Sequence, residues 1–339
     1  MKCELIPGRS VSVAAPSRLH FGLYGFGATA ARQFGGLGAM IESPGIRLTA
    51  RQSESFSAVG PLAERVQAFA ERWLSFYRES GNDLSRLRPA VRFEIQAAPP
   101  EHSGLGVGTQ LGLSVAAALN ALHGLPSVSP VELAQSVGRA QRSAVGTYGF
   151  VFGGLIAERG KSAEEAVSPL DARVALHDSW RFVLVAPCGA AGLAGSAEVQ
   201  AFERLPSVSE ATTTELIRLA RDELLPSAAQ SEFARFATAL DRYCYLAGLC
   251  FADIQGGAYN GPLLTKLVDT MRDCGAGGVG QSSWGPTLFA LLPNESAAEK
   301  FVARLSHSIP EIQFSASITS PNNRGARVEI DEADSSSKR

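Results

Sequence analysis

The spacing of apolar residues predicts a chain of short strands and amphipathic helices. Within residues 61–80, Leu62, Val66, Phe69 and Trp73 recur at intervals of three and four, which is typical of one face of a helix. Such a face is buried against the rest of a globular protein. The aromatic residues of this helix are therefore predicted to lie in the core rather than to hold a ligand.

Other segments show the period of a strand or a further helix. Strands are predicted where β-branched and apolar residues lie between glycines and prolines, at residues 10–15, 37–50, 90–97, 154–158, 181–187, 287–292 and 312–318. Further helices are predicted at 109–123, 130–142, 262–273 and 295–305, and residues 196–251 are predicted to be mostly helical with breaks near Pro206 and Pro226. Because helices and strands mix without strict alternation, the predicted fold class is α+β.

The length of the chain and one buried strand predict two domains. With 339 residues, the chain is long enough for two ordinary domains. The strand at 181–187 is the predicted start of the second, so the domains are expected at residues 1–178 and 179–330. Residues 331–339 are charged and rich in serine, and they are expected to form a disordered tail.

Composition favours a folded protein that binds small molecules. The hydrophobic content is 45%, and the net charge of −2 argues against nucleic acid or an anionic membrane as a partner. No stretch reaches the ~20 apolar residues that cross a bilayer, and we expect no signal peptide. The five cysteines are scattered without a C-x-x-C pair, which is typical of a reducing compartment. A cytoplasmic location is therefore expected.

Glycine gathers in four clusters, at residues 22–38, 104–112, 146–154 and 275–285, and the second has the clearest chemistry. In the stretch "EHSGLGVGTQLGLSVAAALNAL" at 101–122, Gly104, Gly106 and Gly108 precede a long apolar run. This layout predicts a tight loop that leads into a buried helix. Unpaired N–H groups and a partial positive charge at such a helix N-terminus attract a phosphate. A simple turn before a core helix remains the alternative.

Two familiar phosphate-binding motifs do not fit this loop. The P-loop requires a lysine after its last glycine, and none follows here. The G-x-G-x-x-G motif of dinucleotide-binding proteins has a different spacing. The five histidines are dispersed, and no metal-binding spacing is present, so the metal ligands stay unassigned.

Side chains in and beside the clusters are the candidates for chemistry. Arg18 and His20 fall on one face of the first strand, where Arg18 is a candidate partner for phosphate. The predicted catalytic residues are Glu101, His102 and Thr109; the first two are also the best local candidates for a magnesium ligand. The predicted substrate-binding residues are Arg18, His20, Gly104, Gly106, Gly108, Gln110, Arg142, Thr147, Gln281, Ser282, Ser283 and Trp284. Ordinary structural roles, such as Arg142 at the end of a helix, remain alternatives.

In combination, the clusters resemble the GHMP superfamily of small-molecule kinases. The segments "PSR" at 16–18, "PEHSGLG" at 100–106 and "GAGGVGQSS" at 275–283 stand in the order of that superfamily's three motifs. They span nearly the whole chain. The resemblance implies a GHMP-kinase-like fold of two α+β domains with the active site in the cleft between them.

The details are more similar to one non-kinase branch, the β-ribofuranosylaminobenzene 5′-phosphate synthases. The stretches that carry this resemblance are "SRLHFGL", "PPEHSGLGVGTQLGL", "SAVGTYGFVFGG" and "GVGQSSWGPTLFAL". It implies that phosphoribosyl pyrophosphate is joined to 4-aminobenzoate with release of pyrophosphate and carbon dioxide, on the way to tetrahydromethanopterin. It also implies Mg²⁺ with the pyrophosphate, and a homodimer. Another benzoate, such as 4-hydroxybenzoate, is an alternative acceptor.

An ATP-dependent GHMP small-molecule kinase is the alternative function. Thr147 and Tyr148 stand in the "GTYGF" turn, where the kinases have a catalytic aspartate, and no lysine lies in a glycine cluster. Both departures weaken the kinase alternative. Val107 also replaces a small or hydroxyl residue common in the superfamily, which removes one phosphate contact. A non-catalytic protein that binds a phosphorylated metabolite is the third reading.

Overall fold

The chain folds around two β-sheets in a computed structural model that describes residues 5–6, 8–27, 30–79, 90–189, 192 and 195–332. The strands are β1 (Arg9–Leu23), β2 (Gly36–Gln52), β3 (Ser57–Val59), β4 (Val91–Ala97), β5 (Leu155–Glu158), β6 (Leu170–Val174), β7 (Arg181–Pro187), β8 (Gly277–Gln281), β9 (Leu288–Leu292), β10 (Phe314–Thr319) and β11 (Arg327–Glu332). The helices are α1 (Ala63–Glu79), α2 (Val107–Leu122), α3 (Pro130–Ser136), α4 (Val145–Phe152), α5 (Gly195–Arg204), α6 (Glu210–Arg218), α7 (Leu225–Ala229), α8 (Phe233–Leu249), α9 (Ala252–Gln255), α10 (Gly261–Asp273) and α11 (Glu295–Ser308). A π-helical turn, Leu219–Leu224, joins α6 to α7.

The first sheet has seven strands, and β1 and β2 are its long central pair. The main order is β11-β1-β2-β4-β3, while β5 pairs with the first part of β2 and β6 pairs with β5. The antiparallel register of β1 and β2 shifts between His20 and Gly22. Such an irregularity bends a strand and redirects its side chains. The strand that carries Arg18 and His20 is therefore bent at these residues.

Helix α2 lies against this sheet because it is apolar on nearly all sides. It packs on β1 and β2, and most of its residues are buried. Helix α1 covers α2 with the predicted apolar face, in which Val66, Phe69 and Trp73 are buried. The Nε1–H of Trp73 donates a hydrogen bond of 2.8 Å to Oδ1 of Asn120. The prediction that these aromatic residues lie in the core is confirmed.

The second sheet, in the order β10-β7-β9-β8, has apolar side chains on both faces. Along β7, Phe182 and Leu184 belong to the core that includes β1 and α8, whereas Val183 and Val185 belong to the core formed with α10 and α11. Phe21 of β1 packs against Phe289 of β9, with ring centroids 5.2 Å apart. The two sheets therefore meet through packed aromatic rings.

The α+β class is confirmed, and several predicted elements need correction. The glycine-rich segment 146–154 is mostly the helix α4, and part of the predicted loop 275–285 is the strand β8. Helix α3 ends at Ser136, because Gly138 adopts a left-handed φ of +65°. Helical structure continues through Pro226, which lies in the first turn of α7, where its missing N–H is tolerated.

The C-terminal strand returns to the first sheet. Strand β11 pairs with β1, so residues 331 and 332 end a strand instead of beginning the predicted disordered tail. The rest of that tail, 333–339, lies outside the described residues. The division of the chain after residue 178 stays a prediction. In the described part of the chain, no helix combines the length and the apolar composition needed to cross a membrane.

Candidate active site

A cavity of about 680 Å³ opens between α2 and the second half of the chain. This volume is within the range of about 300–1,000 Å³ that is usual for small-molecule sites. Its wall includes residues 18 and 20–23 of β1, residues 101–109, residues 138–143 and residues 283–285. Residues of α5, α8 and the segment between α8 and α9 also line it, together with Arg65, Gln255, Ala258 and Gln281.

Residues 104–109, called the glycine loop from here on, present a helix N-terminus to this cavity. Gly106 is the N-cap of α2 with φ of +73°, a conformation that favours glycine. No side chain caps the helix, and its first turn has no acidic residue. The first N–H groups of α2 and its partial positive charge are therefore available to an anion.

Three arginines from distant parts of the chain surround the glycine loop. Arg18 lies on β1, Arg65 in α1 and Arg139 after α3, and all three line the cavity. A Cβ added to Gly108 would lie 2.3 Å from Nη2 of Arg139 and 2.5 Å from Nη2 of Arg65. The absence of a side chain at Gly108 therefore lets two guanidinium groups reach the helix N-terminus. We call these arginines and the glycine loop the charged end.

The charges of the charged end are only partly compensated. Arg65 forms an ion pair with Glu101. In the described residues, the Arg139 guanidinium has no hydrogen-bond or ion-pair partner, and its Nε is buried. Burial lowers the pKa of Arg18 and of Arg139 to about 10, so both are positive at neutral pH. This arrangement is suited to an anion with several phosphate oxygens.

Another part of the cavity wall, called the aromatic end from here on, is formed by Phe202, Phe251 and Trp284. The Trp284 ring stands edge-on to Phe251 and Phe202, with centroids 4.9 and 5.7 Å apart. Arg142 lies over the Phe202 ring at 4.9 Å, and its Nη2 is 2.8 Å from Oε2 of Glu198. Edge-on aromatic walls of this kind suit a flat apolar ring.

His20 also lines the cavity and is held on two sides. Its backbone N–H donates to Oγ of Ser282 at 3.0 Å, and its Nε2 is 3.1 Å from Oγ of Ser143. Ser143 Oγ donates to Oε1 of the buried Glu158 at 2.5 Å. Burial, and secondarily the charge of Arg18, lowers the pKa of His20 well below its usual value. The ring is therefore neutral near pH 7.

Most of the predicted site residues come together at this cavity. Those that line it are Arg18, His20, Glu101, His102, Gly104, Gly106, Gly108, Thr109, Arg142, Gln281, Ser283 and Trp284. Gln110, Thr147 and Ser282 lie behind the wall. Gln110 donates from Nε2 to the Gly146 carbonyl at 2.9 Å, which links α2 to α4. Ser282 donates from Oγ to the Gly104 carbonyl at 2.7 Å and so positions the glycine loop.

Two sequence-based placements are corrected here. Thr147 is buried inside α4 and not in a glycine turn. Arg142 does not end a helix, since α3 stops at Ser136, and it reaches Glu198 of α5 instead.

Sequence reasoning missed several residues of the cavity. Arg65 is one polar residue of an amphipathic helix, and Arg139 falls within the predicted helix 130–142, which in the structure ends at Ser136. Phe202 and Phe251 are partners of Trp284 from a region that showed only helical periodicity. The contact of Arg65, in the first turn of α1, with Gly108 depends on which elements touch, so the sequence carries no signal for it.

The chain offers few ligands for a metal. Among the residues that the structure describes, there is no group of three or more histidine, cysteine, aspartate or glutamate residues that could hold a metal ion. Magnesium commonly binds through one or two carboxylates together with substrate phosphates. The Glu101 carboxylate beside the glycine loop fits that limited role, although it is paired with Arg65.

Comparison with known proteins agrees with this architecture. Residues 66–154 match the family described as "GHMP kinases N terminal domain", and residues 224–310 match "GHMP kinases C terminal". A protein of Archaeoglobus fulgidus named beta-ribofuranosylphenol 5'-phosphate synthase is 28% identical over 93% of this chain and 98% of its own length. A protein of the same name from Methanothermobacter thermautotrophicus is 26% identical over 93% of this chain and 97% of its own.

A solved structure shows the same fold with a different activity in its name. Homoserine kinase from Cytophaga hutchinsonii superposes with a TM-score of 0.64 and 16% identity, covering 94% of this chain and 97% of its own. At that identity the likeness concerns the fold alone. The chain belongs to the GHMP kinase superfamily, and over nearly its whole length it resembles members that are named as synthases.

Proposed function

We propose that this protein transfers the phosphoribosyl group of phosphoribosyl pyrophosphate to the ring of a 4-substituted benzoate, with release of pyrophosphate and carbon dioxide. The observation that carries the proposal is a single cavity with a charged end and an aromatic end. The donor is a polyanion and the acceptor is a flat ring, so each substrate has a complementary wall. The product would serve tetrahydromethanopterin synthesis.

The charged end would hold the donor's diphosphate. Among the described residues, four arginines and two glutamates line the cavity, so this part of its wall carries an excess of positive charge. Arg18, Arg139 and the N-terminus of α2 converge on one place, and each stabilises the charge that develops on the leaving diphosphate. A preorganised donor of this kind contributes about 3 kcal/mol to a transition state.

The aromatic end would hold the acceptor. Phe202, Phe251 and Trp284 offer edges and faces to a benzene ring, and Arg142, which lies over the Phe202 ring, is a candidate cation for a ring carboxylate. The names of the relatives specify a phenol product, which supports 4-hydroxybenzoate as the acceptor. The resemblance noted from the sequence favours 4-aminobenzoate, and both compounds belong in the test.

The reaction requires little acid–base chemistry from the protein. The bond between the ribose carbon and the diphosphate breaks, and its electron pair leaves with the diphosphate. The ring carbon that bears the carboxylate forms the new bond to ribose. Carbon dioxide then leaves, and the electron pair of that bond restores the aromatic ring. The protein contributes position and electrostatic stabilisation. Magnesium, when bound with the diphosphate, would neutralise part of its charge, with Glu101 as the candidate protein ligand.

Release of labelled carbon dioxide tests the proposal directly. Purified protein is incubated with carboxyl-labelled 4-hydroxybenzoate or 4-aminobenzoate, with and without phosphoribosyl pyrophosphate. We expect volatile label only when the donor is present, together with one pyrophosphate per carbon dioxide. No label from either acceptor, with donor in excess, would contradict the proposal.

The same assay addresses the kinase alternative. Turnover without ATP is expected, and addition of ATP with a panel of small alcohols should release no ADP. ADP release at a comparable rate would instead favour a GHMP small-molecule kinase. The cytoplasmic location and the homodimer remain predictions, and the second is measured by sedimentation.

A further inference from the structure

A hydrogen-bonded chain of three side chains runs from the cavity into the core. His20 Nε2 lies 3.1 Å from Ser143 Oγ, and Ser143 Oγ donates to Glu158 Oε1 at 2.5 Å. The second carboxylate oxygen of Glu158 accepts the Ala144 N–H at 2.7 Å, at the N-terminus of α4. Glu158 is fully buried and does not line the cavity. The chemistry described above has no use for this carboxylate.

We propose that Ser143 and Glu158 are positioning residues that fix the tautomer of His20, so that its Nδ1 accepts a hydrogen bond from the hydroxyl or amino group of the acceptor ring. This inference rests on the proposed function for the identity of the ligand. It adds a residue that recognises the ring's 4-substituent, and hence a basis for choosing among benzoates.

The direction of each hydrogen bond follows from the number of protons. When Glu158 is ionised, it can only accept, so the Ser143 hydroxyl proton points to Glu158. Ser143 Oγ must then accept from His20, which places the ring proton on Nε2 and leaves a lone pair on Nδ1. Within the described residues Nδ1 has no protein partner, and His20 lines the cavity. An N–H or O–H of a ligand can therefore pair with it.

Protonation of Glu158 reverses the chain. A protonated carboxyl group donates to Ser143, which then donates to Nε2, and the ring proton moves to Nδ1. Nδ1–H cannot accept a hydrogen bond, so the proton of a hydroxyl or amino group on the ring loses its partner there. Burial raises the pKa of Glu158 to about 7, so the reversal falls in an accessible pH range.

Several titratable groups of the described residues lie around this hydrogen-bonded chain. Arg18 on β1 is the nearby cation, and its field lowers the pKa of His20. Around Glu158 lie Ser168 and three tyrosines: Tyr24, Tyr148 of α4 and Tyr243 of α8. Burial raises the pKa of all three tyrosines, so they stay neutral. Glu158 is therefore the group of this set that titrates near pH 7.

The hydrogen bond to Nδ1 is most useful during bond formation. As the ring attacks the ribose carbon, positive charge spreads onto the 4-hydroxyl or 4-amino group. A hydrogen bond from that group to His20 strengthens as the charge develops, and such a bond raises kcat more than it lowers KM. Loss of one such interaction costs about 100-fold in kcat.

The central experiment uses Glu158→Gln, which keeps the shape but fixes the reversed chain. The Gln amide oxygen accepts from Ala144 N–H, and its NH₂ donates to Ser143. We expect about a 100-fold loss of kcat for 4-hydroxybenzoate. With 4-methoxybenzoate, which has no proton to donate, the loss should be much smaller, since Nδ1–H can donate to the ether oxygen. An equal loss for both acceptors would overturn the proposal.

A second measurement does not depend on catalysis. In protein labelled with ¹⁵N-histidine, the His20 ring nitrogens are assigned with His20→Asn and followed from pH 5.5 to 8.5. The Nε2–H tautomer is expected above pH 7 in the unchanged protein, and the Nδ1–H tautomer throughout in Glu158→Gln. Glu165→Gln, which also removes a carboxylate that accepts a backbone N–H, is the matched control and should behave as the unchanged protein.

The two measurements separate the possible failures. If the tautomer follows Glu158 but no benzoate is turned over, the proposed function is wrong and the fixed tautomer stands. If benzoates are turned over but the tautomer and the acceptor ratio ignore Glu158, this inference is wrong and the proposed function stands.

Discussion

The two ends of the cavity are built in opposite ways. The charged end brings together Arg18, Arg65 and Arg139, which repel one another, and Arg139 has no partner of opposite charge among the described residues. At the aromatic end, Phe202, Phe251 and Trp284 pack against one another without any ligand. The charged end is therefore a source of strain in the empty protein, whereas the aromatic end is part of its core. Function and stability should respond differently at each.

The largest effect is expected at the charged end, from Arg139→Met. The substitution removes a charge that would stabilise the leaving diphosphate, so kcat/KM should fall about 1,000-fold. It also removes a guanidinium without an ion-pair partner, so the free energy of unfolding should stay the same or rise by about 1 kcal/mol. Arg139 and Arg72 both lie over the Phe69 ring, but Arg72 does not line the cavity, so Arg72→Met is the control. Steady-state kinetics measure kcat/KM, and urea unfolding measures the stability of both variants. Equal destabilisation by both variants would contradict the view that the charged end is strained in the empty protein.

At the aromatic end, by contrast, Trp284→Ala should lower the stability of the protein. The Trp284 side chain is 5% exposed, and removing it leaves a void among packed rings. We expect a loss of about 3 kcal/mol in the free energy of unfolding, with activity lost through acceptor binding. Tyr245→Ala, at an exposed aromatic residue, should change stability little. A fully stable Trp284→Ala protein would show that the aromatic end is not part of the core.

A smaller effect is expected from Gly108→Ala, which tests whether the diphosphate binds beside Gly108 at the charged end. The new methyl group would meet the Nη2 atoms of Arg139 and Arg65, which are ends of flexible side chains and can move away. Alanine also favours a helix over glycine by about 1 kcal/mol. Stability should therefore hold or rise, while the affinity for phosphoribosyl pyrophosphate falls about tenfold. Calorimetric titration of the donor measures this, and unchanged affinity would place the diphosphate elsewhere.

A further effect, on the pH dependence of stability, concerns His20 and Glu158, which belong to neither end. The raised pKa of Glu158 gives stability that is complete below the ordinary glutamate pKa of 4.5 and is lost as pH rises to about 7. The lowered pKa of His20 acts oppositely, since stability grows as pH rises to the ordinary histidine pKa of 6.5. Between pH 4.5 and pH 6.5 the two groups therefore change the free energy of unfolding with pH in opposite directions.

Glu158→Gln removes one member of that pair. Its unfolding free energy relative to the unchanged protein should increase with pH between 4.5 and 7, by up to about 1.4 kcal/mol per pH unit. Unfolding curves at several pH values measure this difference. A difference independent of pH would mean that Glu158 is ionised throughout.

The sequence revealed the parts of the site that are local. The glycine loop and α2 follow from three glycines and an apolar run, and both were predicted within two residues. The charged end was only partly predicted, because Arg65 and Arg139 reach Gly108 from separate elements. Whether an arginine of α1 faces solvent or a helix N-terminus depends on tertiary packing, which periodicity does not contain.

Glycine was the main source of error, since it has more than one use. In the segment 146–154 it was taken as the mark of a turn, yet Gly149 lies in a helix where a Cβ would be 2.2 Å from Met40 Sδ. In β8, a Cβ at Gly280 would meet the Phe289 ring at 2.6 Å and Cys244 Sγ at 2.7 Å. These glycines permit close packing of neighbours. Sequence alone does not separate this role from a turn, because the neighbours come from other elements.

The pairing of β11 with β1 has a consequence for synthesis of the protein on the ribosome. Residues 9–14 of β1 are translated long before residues 327–332, which pair with their outer edge. Until β11 has been translated, this edge presents unpaired N–H and C=O groups, which are a template for pairing with other nascent chains. Translation that stops shortly before residue 327 would therefore leave this edge of β1 open to aggregation.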